Sequence, residues 1–471
     1  MQANPQHLTH EHGSDTLSWK TKINFGIGVV GKSLVYGVAG KFEYFLLTLL
    51  GMKKSFLTVL LVCGRLWDGV NDLLMGSVID STRSRWGKFR PWLALGSVLN
   101  AFVLIGMFTN PAPLRADSPL RYAWFAMFFV LWDMTFTMGD VSYYAMIPAL
   151  SRNPQQRDQL AIIPRVFAGV LGVATAFILD IVLLLGKGSE MRGFFVYASL
   201  AGAVAMATGL YAAVTLKEAG ESPAPVAERV SPFRVLRVIA GNKQCLATIG
   251  VMIFFNLAAN ATNGASQYYF KFVVGDTRQY GFWGIALGAA NGVGLFLYPA
   301  LCKRFGRKRV FAAAFALPPV GCAFMAVASR APVQTFIPLL LGACVSAVGY
   351  GFMSAMQSVM LADSVDYGEF TTGQRSEGVI FSTLTMLSRI ASALGDASRM
   401  GVFSYTSFGG EHATAATPAA RQGIAFLMYI LPPLSMIVSV LIYRFSYRLT
   451  PERMTQIRAE LAERAAAGSE Q

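Results

Sequence analysis

Residues Arg65 to Pro91 read RLWDGVNDLLMGSVIDSTRSRWGKFRP, an apolar run that carries carboxylates in its middle and ends abruptly in a basic loop. Arg65, Asp68 and Asp72 stand at i, i+3 and i+7 with Asn71 alongside, so on a helix they form one polar stripe. Leu66, Trp67, Val70, Leu73, Leu74, Val78 and Ile79 cover the remaining surface. A carboxylate at the centre of a spanning helix costs about 2.5 to 3.5 kcal/mol even on the lenient insertion scale. Two on one face call for a partner or a function.

Composition places this helix in a membrane. Apolar residues make up 54% of the chain and charged residues 14%, where a soluble protein carries about 25% charged. The mean hydropathy is positive. Apolar stretches long enough to span occur near 25–50, 54–80, 91–109, 119–149, 158–185, 192–216, 243–273, 278–302, 309–330, 334–362, 377–406 and 419–448. They predict an all-α membrane protein with twelve transmembrane helices. The polar N-terminal stretch lacks the apolar core and cleavage site of a signal peptide, so the first span is expected to be retained. Stripes of Phe, Met and Trp on the other spans read as helix packing and lipid contact.

Short cytoplasmic loops keep positive charge. With the N-terminus inside, roughly 24 Lys and Arg fall in cytoplasmic segments and roughly 10 in outer loops, so both termini are expected in the cytoplasm. The expected location is the bacterial inner (plasma) membrane. The net charge of +14 is then a consequence of topology, and no nucleic-acid partner is expected. Cys63, Cys245, Cys302, Cys322 and Cys344 sit singly in apolar spans with no metal-ligand spacing, which argues against disulfides and zinc. The four histidines, three of them in the N-terminal tail, form no triad or metal cluster, and no nucleophile–base pair points to an enzyme. No cofactor is expected.

The chain divides once. Residues 217–242 form the longest hydrophilic stretch between spans and contain proline, so they read as a cytoplasmic linker. The expected organisation is a tail 1–23, a six-helix half 24–216, the linker 217–242, a six-helix half 243–448 and a tail 449–471. A repeat supports it. Gly87 after span two and Gly306 after span eight each stand among basic residues, and Gln156-Arg157-Asp158 is echoed by Gln374-Arg375-Ser376. Two parallel six-span repeats are the major facilitator arrangement, with substrate bound between the halves near the midplane.

RLWDGVNDLLMG followed by TRSRWGKFRPW, then TMGDVSYYAMIP in span four, IPRVFA in span five and ADSVDYGEFTTGQRSEGVIFS after span ten, resembles the glycoside-pentoside-hexuronide:cation symporter family, the melibiose-permease group. The resemblance runs from span one through span eleven. It implies a sugar or glycoside symporter driven by sodium or protons.

The family's cation site corresponds to Asp68, Asn71, Asp72, Thr137 and Asp140, with sodium expected at Asp68, Asp72 and Asp140. Crowded carboxylates in a low dielectric repel until a cation joins them; the alternative is pairing with Arg65 and Arg165 to lock the helices. The family's sugar positions correspond to Lys32, Ser33, Asp140, Tyr144, Arg165, Ser354, Gln357 and Arg389. Ser33 stands at an acid position of the group, Tyr144 and Ser354 at tryptophan positions and Arg389 at a lysine, so galactoside specificity does not carry over. Asp133 stands at a glycine position, seven residues before Asp140; it either joins the cation site or pairs with a basic residue.

Asn256, Asn260, Asn263 and Gln267 form one amide face on span seven, suited to sugar hydroxyls or to bonds between helices. Arg389, Ser392, Asp396 and Arg399 share a face of span eleven, read as an internal ion pair or as a hook for an acidic sugar. The resulting expectation is a monomeric, cation-coupled sugar carrier working by alternating access in contact with membrane lipid. Two alternatives remain at this point: a lysolipid or other amphiphile carrier of the same fold, and a transport-inactive membrane sensor.

Overall fold

The structure, a computed structural model, describes residues 17–111, 118–151, 153–218, 241–330, 336–372, 377–408 and 417–469. Most of the expected linker, the tail before residue 17 and the Gln374-Arg375-Ser376 echo lie outside the described residues.

The helices are α1 Trp19–Leu49, α2 Lys54–Ser81, α3 Arg90–Met107, α4 Pro119–Leu150, α5 Pro154–Ala176 continued by Ile178–Leu185, and α6 Glu190–Thr215. They continue with α7 Lys243–Val274, α8 Thr277–Phe305, α9 Arg307–Ala328, α10 Phe336–Thr372, α11 Glu377–Tyr405, α12 Pro418–Ser446 and α13 Pro451–Ser469. Among the described residues, nine of these are long and apolar enough to cross a membrane by length and composition. α2, α4 and α11 carry charge within their lengths, Asp68 and Asp72, Asp133 and Asp140, and Arg389 and Asp396 in turn. Charge placed within spanning helices marks the lining of a polar interior.

Helix ends follow local chemistry. Ser18 accepts from the Thr21 N–H, Asn242 from those of Gln244 and Cys245, and Asp276 from that of Arg278, each satisfying a first-turn donor without an intrahelical partner. At α3 the cap comes from afar: the Glu218 carboxylate accepts the N–H groups of Lys88, Phe89 and Arg90 at 2.8, 2.9 and 3.2 Å. Gly87, at φ 100°, makes room for it, since a Cβ there would lie 2.5 Å from Glu218. Gly306, its counterpart before α9, has φ 83°. Both loops thus turn through a positive φ, which glycine adopts without strain.

Packing falls into two groups. α1 lies on α5 and α6, α3 on α4 and α6, and α2 on α4; α7 lies on α11 and α12, and α10 on α8 and α9. The groups meet where α2 packs on α11 and α5 on α8. At the end away from both termini, here the distal face, one aromatic core spans both groups, with Phe42, Phe45, Phe108 and Phe194 from the first and Tyr268, Phe270, Trp283 and Phe403 from the second. At the opposite, terminal face each group has a core of its own. Among the described residues the apolar cores of the two groups are therefore joined distally and separate terminally.

The segment after 449, expected as a tail, is the helix α13. Met454, Ile457 and Leu461 recur at helical spacing and pack into the terminal core of the second group, while Arg458 reaches Asp366 at 2.9 Å and Asp363 at 3.2 Å on α10.

Small residues let the helices approach. A Cβ on Gly351 would lie 2.2 Å from the Asn291 carbonyl oxygen, and one on Gly294 would lie 2.3 Å from that of Val348. α8 and α10 thus touch backbone to backbone, the way membrane helices associate without a hydrophobic drive. Gly351→Ala is expected to part them and lower the thermal midpoint in detergent, by the equivalent of about 1 to 3 kcal/mol. Gly288→Ala, on the same α8 at a position with nothing within 4 Å, serves as the control and should hold or raise the midpoint.

Candidate functional site

α1 and α4 build a cavity of about 410 Å³ together with α5. Tyr143 stacks on Phe25 with ring centroids 4.4 Å apart and donates its hydroxyl to the Phe25 carbonyl, which fixes α4 against α1. Lys32 and Asp140 then face each other, Nζ to Oδ1 at 2.5 Å. The ammonium also lies 4.6 Å from the Tyr143 ring centroid and 4.9 Å from that of Tyr144, an arrangement that stabilises a desolvated cation. Ser33, Tyr36, Phe136 and Thr175 complete the polar and aromatic part of the wall. The Asp140 side chain is 38% exposed against 15% for Lys32, so the pair opens on the cavity through its carboxylate. Ammonium, carboxylate, hydroxyls and ring faces together match a ligand rich in hydroxyl groups.

A second cluster lies one helical turn away. Thr137, three residues before Asp140 on α4, donates to Asp72 at 3.4 Å. Arg389 comes from α11 in the other group and divides its guanidinium, one nitrogen on Asp68 at 2.5 Å and the other on Asp72. Arg65 stands 3.8 Å from Asp68 and 3.5 Å from Asp396. Buried Asn71 donates to buried Asp133 at 2.9 Å, and Asp133 lies against Asp68. Asp133 has thus joined the acid cluster.

Several sequence expectations are redrawn by these contacts. Asp68, Asp72 and Asp140 do not form one ligand cage: Arg389 takes the two α2 acids and Lys32 takes Asp140, because a desolvated carboxylate is stabilised by the nearest basic group. Among the described residues no three His, Cys, Asp or Glu side chains converge as a metal site. Arg389 does not pair with Asp396; Arg399 does, at 2.7 Å. Arg165 is exposed, outside the cavity wall, and is an electrostatic neighbour of Tyr144.

The amide face of α7 does not act as a unit. Asn256 and Asn260 donate to the carbonyls of Met252 and Asn256, four residues back on their own helix, both at 2.8 Å. Asn263 is exposed. Gln267 accepts from Lys41 at the distal face at 3.0 Å. Ser354 returns its hydroxyl to the Tyr350 carbonyl at 3.0 Å, and Gln357 is buried. None of these lines the cavity. A side-chain amide in an apolar helix satisfies itself on the preceding turn when no better partner is near, and residue spacing carries no information about that choice.

Sequence reasoning missed the distal clasp between the groups. Buried Glu43 on α1 accepts from Arg399 Nε at 2.8 Å, with a second contact through Arg399 Nη2, and from the Tyr268 hydroxyl at 2.9 Å. Glu190 accepts from Tyr44 at 2.6 Å and pairs with Lys271. Lys41 reaches Tyr280 at 2.6 Å, and Lys54 donates to the Phe403 carbonyl at 2.9 Å. The available signal was Lys41 and Glu43 inside the apolar end of span one.

A family profile described as MFS/sugar transport protein matches residues 24–451. The chain is 27% identical over 458 residues to the inner membrane symporter YicJ of Escherichia coli (strain K12), covering 96% of each. It is 25% identical over 452 residues to a lactose permease of Lactobacillus delbrueckii subsp. bulgaricus, covering 93% of this chain and 71% of the permease. The solved structure of a nucleoside transporter superposes with a TM-score of 0.64 at 13% identity, over 90% of this chain and 99% of the other; that likeness is one of fold.

Replacing Arg389 by Gln leaves Asp68 and Asp72 without their shared counter-ion. The loss of stability should be about 3 kcal/mol, the lower end for a broken buried pair because Asp72 is partly exposed. Lowering the pH or adding sodium in place of choline should return part of it in thermal melts. Equal melting of variant and parent would remove Arg389 as their counter-ion.

Proposed function

The chain belongs to the MFS/sugar transport protein family, and from that premise we propose that it carries a sugar or glycoside across the membrane together with a cation, sodium or a proton, by alternating access. It is a multi-pass membrane protein and a transporter, not an enzyme. The observation that carries the finer reading is the single turn of α4 joining the two sites, with Asp140 in the cavity wall and Thr137 on Asp72. A ligand in one site and a charge in the other bear on the same helix.

The cavity chemistry favours a hydroxylated ligand over an amphiphile, and the lactose permease among the relatives supports a carbohydrate. Arg389 couples the acid cluster to the moving parts, since it reaches Asp68 and Asp72 from the other helix group. A cation arriving at these acids competes with the guanidinium and loosens α11 from α2. Substrate and cation then raise each other's affinity by the same factor. The terminal face, where most Lys and Arg fall, is the cytoplasmic side. On that orientation the distal face, where the groups share one core, lies outside, and the terminal face, where their cores are separate, lies inside. Arg90 turns to the carbonyls of Ala213 and Val214 on α6, and Asp366 takes Arg458 on α13; closing the inner face would recruit these loops. An inside-negative potential contributes about 2.3 kcal/mol per charge per 100 mV to inward movement of the cation.

Uptake into vesicles of labelled glycosides, uronides and lysolipids, with and without a sodium gradient and with and without a pH gradient, tests the reading. Accumulation of a glycoside or uronide under one of the gradients is expected; lysolipid uptake alone would replace this function by the amphiphile carrier. Asp72→Asn should abolish gradient-driven accumulation while leaving the protein folded in the membrane, and accumulation at parental strength would show the coupling site to be elsewhere.

The identity of the cation is read at fixed membrane potential. Asp68, Asn71, Asp72 and Thr137 supply enough oxygens to replace much of a sodium ion's hydration shell, which makes sodium the expected ion once Arg389 withdraws. Asp133 adds a carboxyl to the same cluster, so Asp133→Gly should change the ratio of sodium-driven to proton-driven uptake. An unchanged ratio assigns Asp133 to packing alone.

A further inference from the structure

Asp396 lies on α11 between two clusters that have so far been described separately. It is 8% exposed. Its Oδ1 takes Arg399 at 2.7 Å and its Oδ2 faces Arg65 at 3.5 Å. Arg399 is the arginine of the distal clasp, held by Glu43 from α1. Arg65 belongs to the acid cluster, 3.8 Å from Asp68. Each guanidinium thus stands between Asp396 and one other carboxylate.

Among the described residues, the carboxylates of this connected set, Glu43, Asp68, Asp72, Asp133 and Asp396, outnumber its guanidiniums, Arg65, Arg389 and Arg399. With fewer cations than anions every guanidinium is shared, and a buried carboxylate that loses its share must draw on its neighbour's. When Glu43 leaves Arg399, that arginine's charge falls wholly on Asp396. Arg65 is then less strongly held by Asp396 and turns fully to Asp68, where it opposes an incoming cation.

We propose that Asp396 is a positioning residue which, by dividing Arg65 and Arg399 between the two clusters, makes the cation affinity of the acid cluster depend on whether the distal clasp is closed. The proposal rests on the reading of Asp68 and Asp72 as the cation site. By linkage, a cation bound there must bias the distal clasp to the same extent. The contacts given supply a physical route, and the coupling itself is what a mutant cycle measures.

The test uses the full-length protein in detergent without sugar. Sodium binding is followed by calorimetry at fixed pH and proton uptake by an indicator dye, and the cation that the parent binds and Asp72→Asn does not is the probe. Glu43→Gln should lower the affinity for that cation about fivefold, the order expected when a guanidinium moves from 3.8 Å into contact at an effective dielectric near 20. Asp396→Asn should lower it similarly, and Glu43→Gln added to Asp396→Asn should change nothing more. Asp396→Glu, which keeps the carboxylate, should preserve the response to Glu43→Gln. If Asp396 only staples one turn of α11, Asp396→Asn will lower the melting point, and Glu43→Gln will have the same effect on affinity in both backgrounds; that result overturns the proposal, as does an unchanged affinity in Glu43→Gln. Should Glu43→Gln fail to fold, Glu43→Asp replaces it, with a smaller fall expected in the parent and none in Asp396→Asn. If the parent binds neither cation in a manner that depends on Asp72, the cation reading itself falls and the proposal with it.

Discussion

The rest of the structure depends on the rule that a charge removed from water must meet its opposite. Arg389 on Asp68 and Asp72, Arg399 on Glu43, and Lys271 on Glu190 all cross between the two helix groups. Two of these contacts, Arg399 on Glu43 and Lys271 on Glu190, stand beside the aromatic core that both groups share. An ion pair in a low dielectric is costly to break by removing one partner, yet it can be exchanged for another pair of equal quality. A cross-group interface made of such pairs is specific and still exchangeable, which suits the proposed alternating access.

The same rule explains the division of labour along the membrane normal. At the distal face the charged clasp is set in an aromatic core shared by both groups, with Phe42, Phe45, Tyr268 and Phe403 around Glu43 and Arg399. At the terminal face each group has a core of its own with charged contacts inside it: Arg307, Tyr447 and Arg458 gather on Asp363, and Glu218 holds the turn before α3. Each group is therefore tied within itself at its terminal end, while the contacts between groups found among the described residues concentrate distally and at the midplane. Rigid bodies joined by exchangeable contacts are what hinge-like rocking requires.

The cavity follows from the same economy of polar groups. Lys32 is tolerated inside because Asp140 and the rings of Tyr143 and Tyr144 surround it. The carboxylate that neutralises it is also the more exposed member of the pair, so the group that stabilises the empty wall is the one a ligand meets first. Through Thr137 this same helix touches Asp72, which gives the proposed substrate and cation sites a common helix.

Much of this was legible in the residues themselves. Apolar length and the sorting of Lys and Arg fixed the membrane helices and their expected orientation, because hydrophobic burial and loop charge are local properties of a segment. Carboxylates at helical spacing marked α2 and α4, and Gly87 and Gly306 marked the repeat, because only glycine takes that turn without strain. Partner choice was not legible. Whether Asp140 joins Asp72 or Lys32, whether Asn260 reaches a neighbour or its own backbone, and whether Arg399 meets Glu43 all depend on which helices lie side by side, and residues hundreds of positions apart compete for the same charge. The sequence by itself determined which side chains had to be satisfied inside the membrane; the tertiary structure decided by whom, since in a low dielectric an ion pair goes to the nearest opposite charge, and nearness is a property of packing.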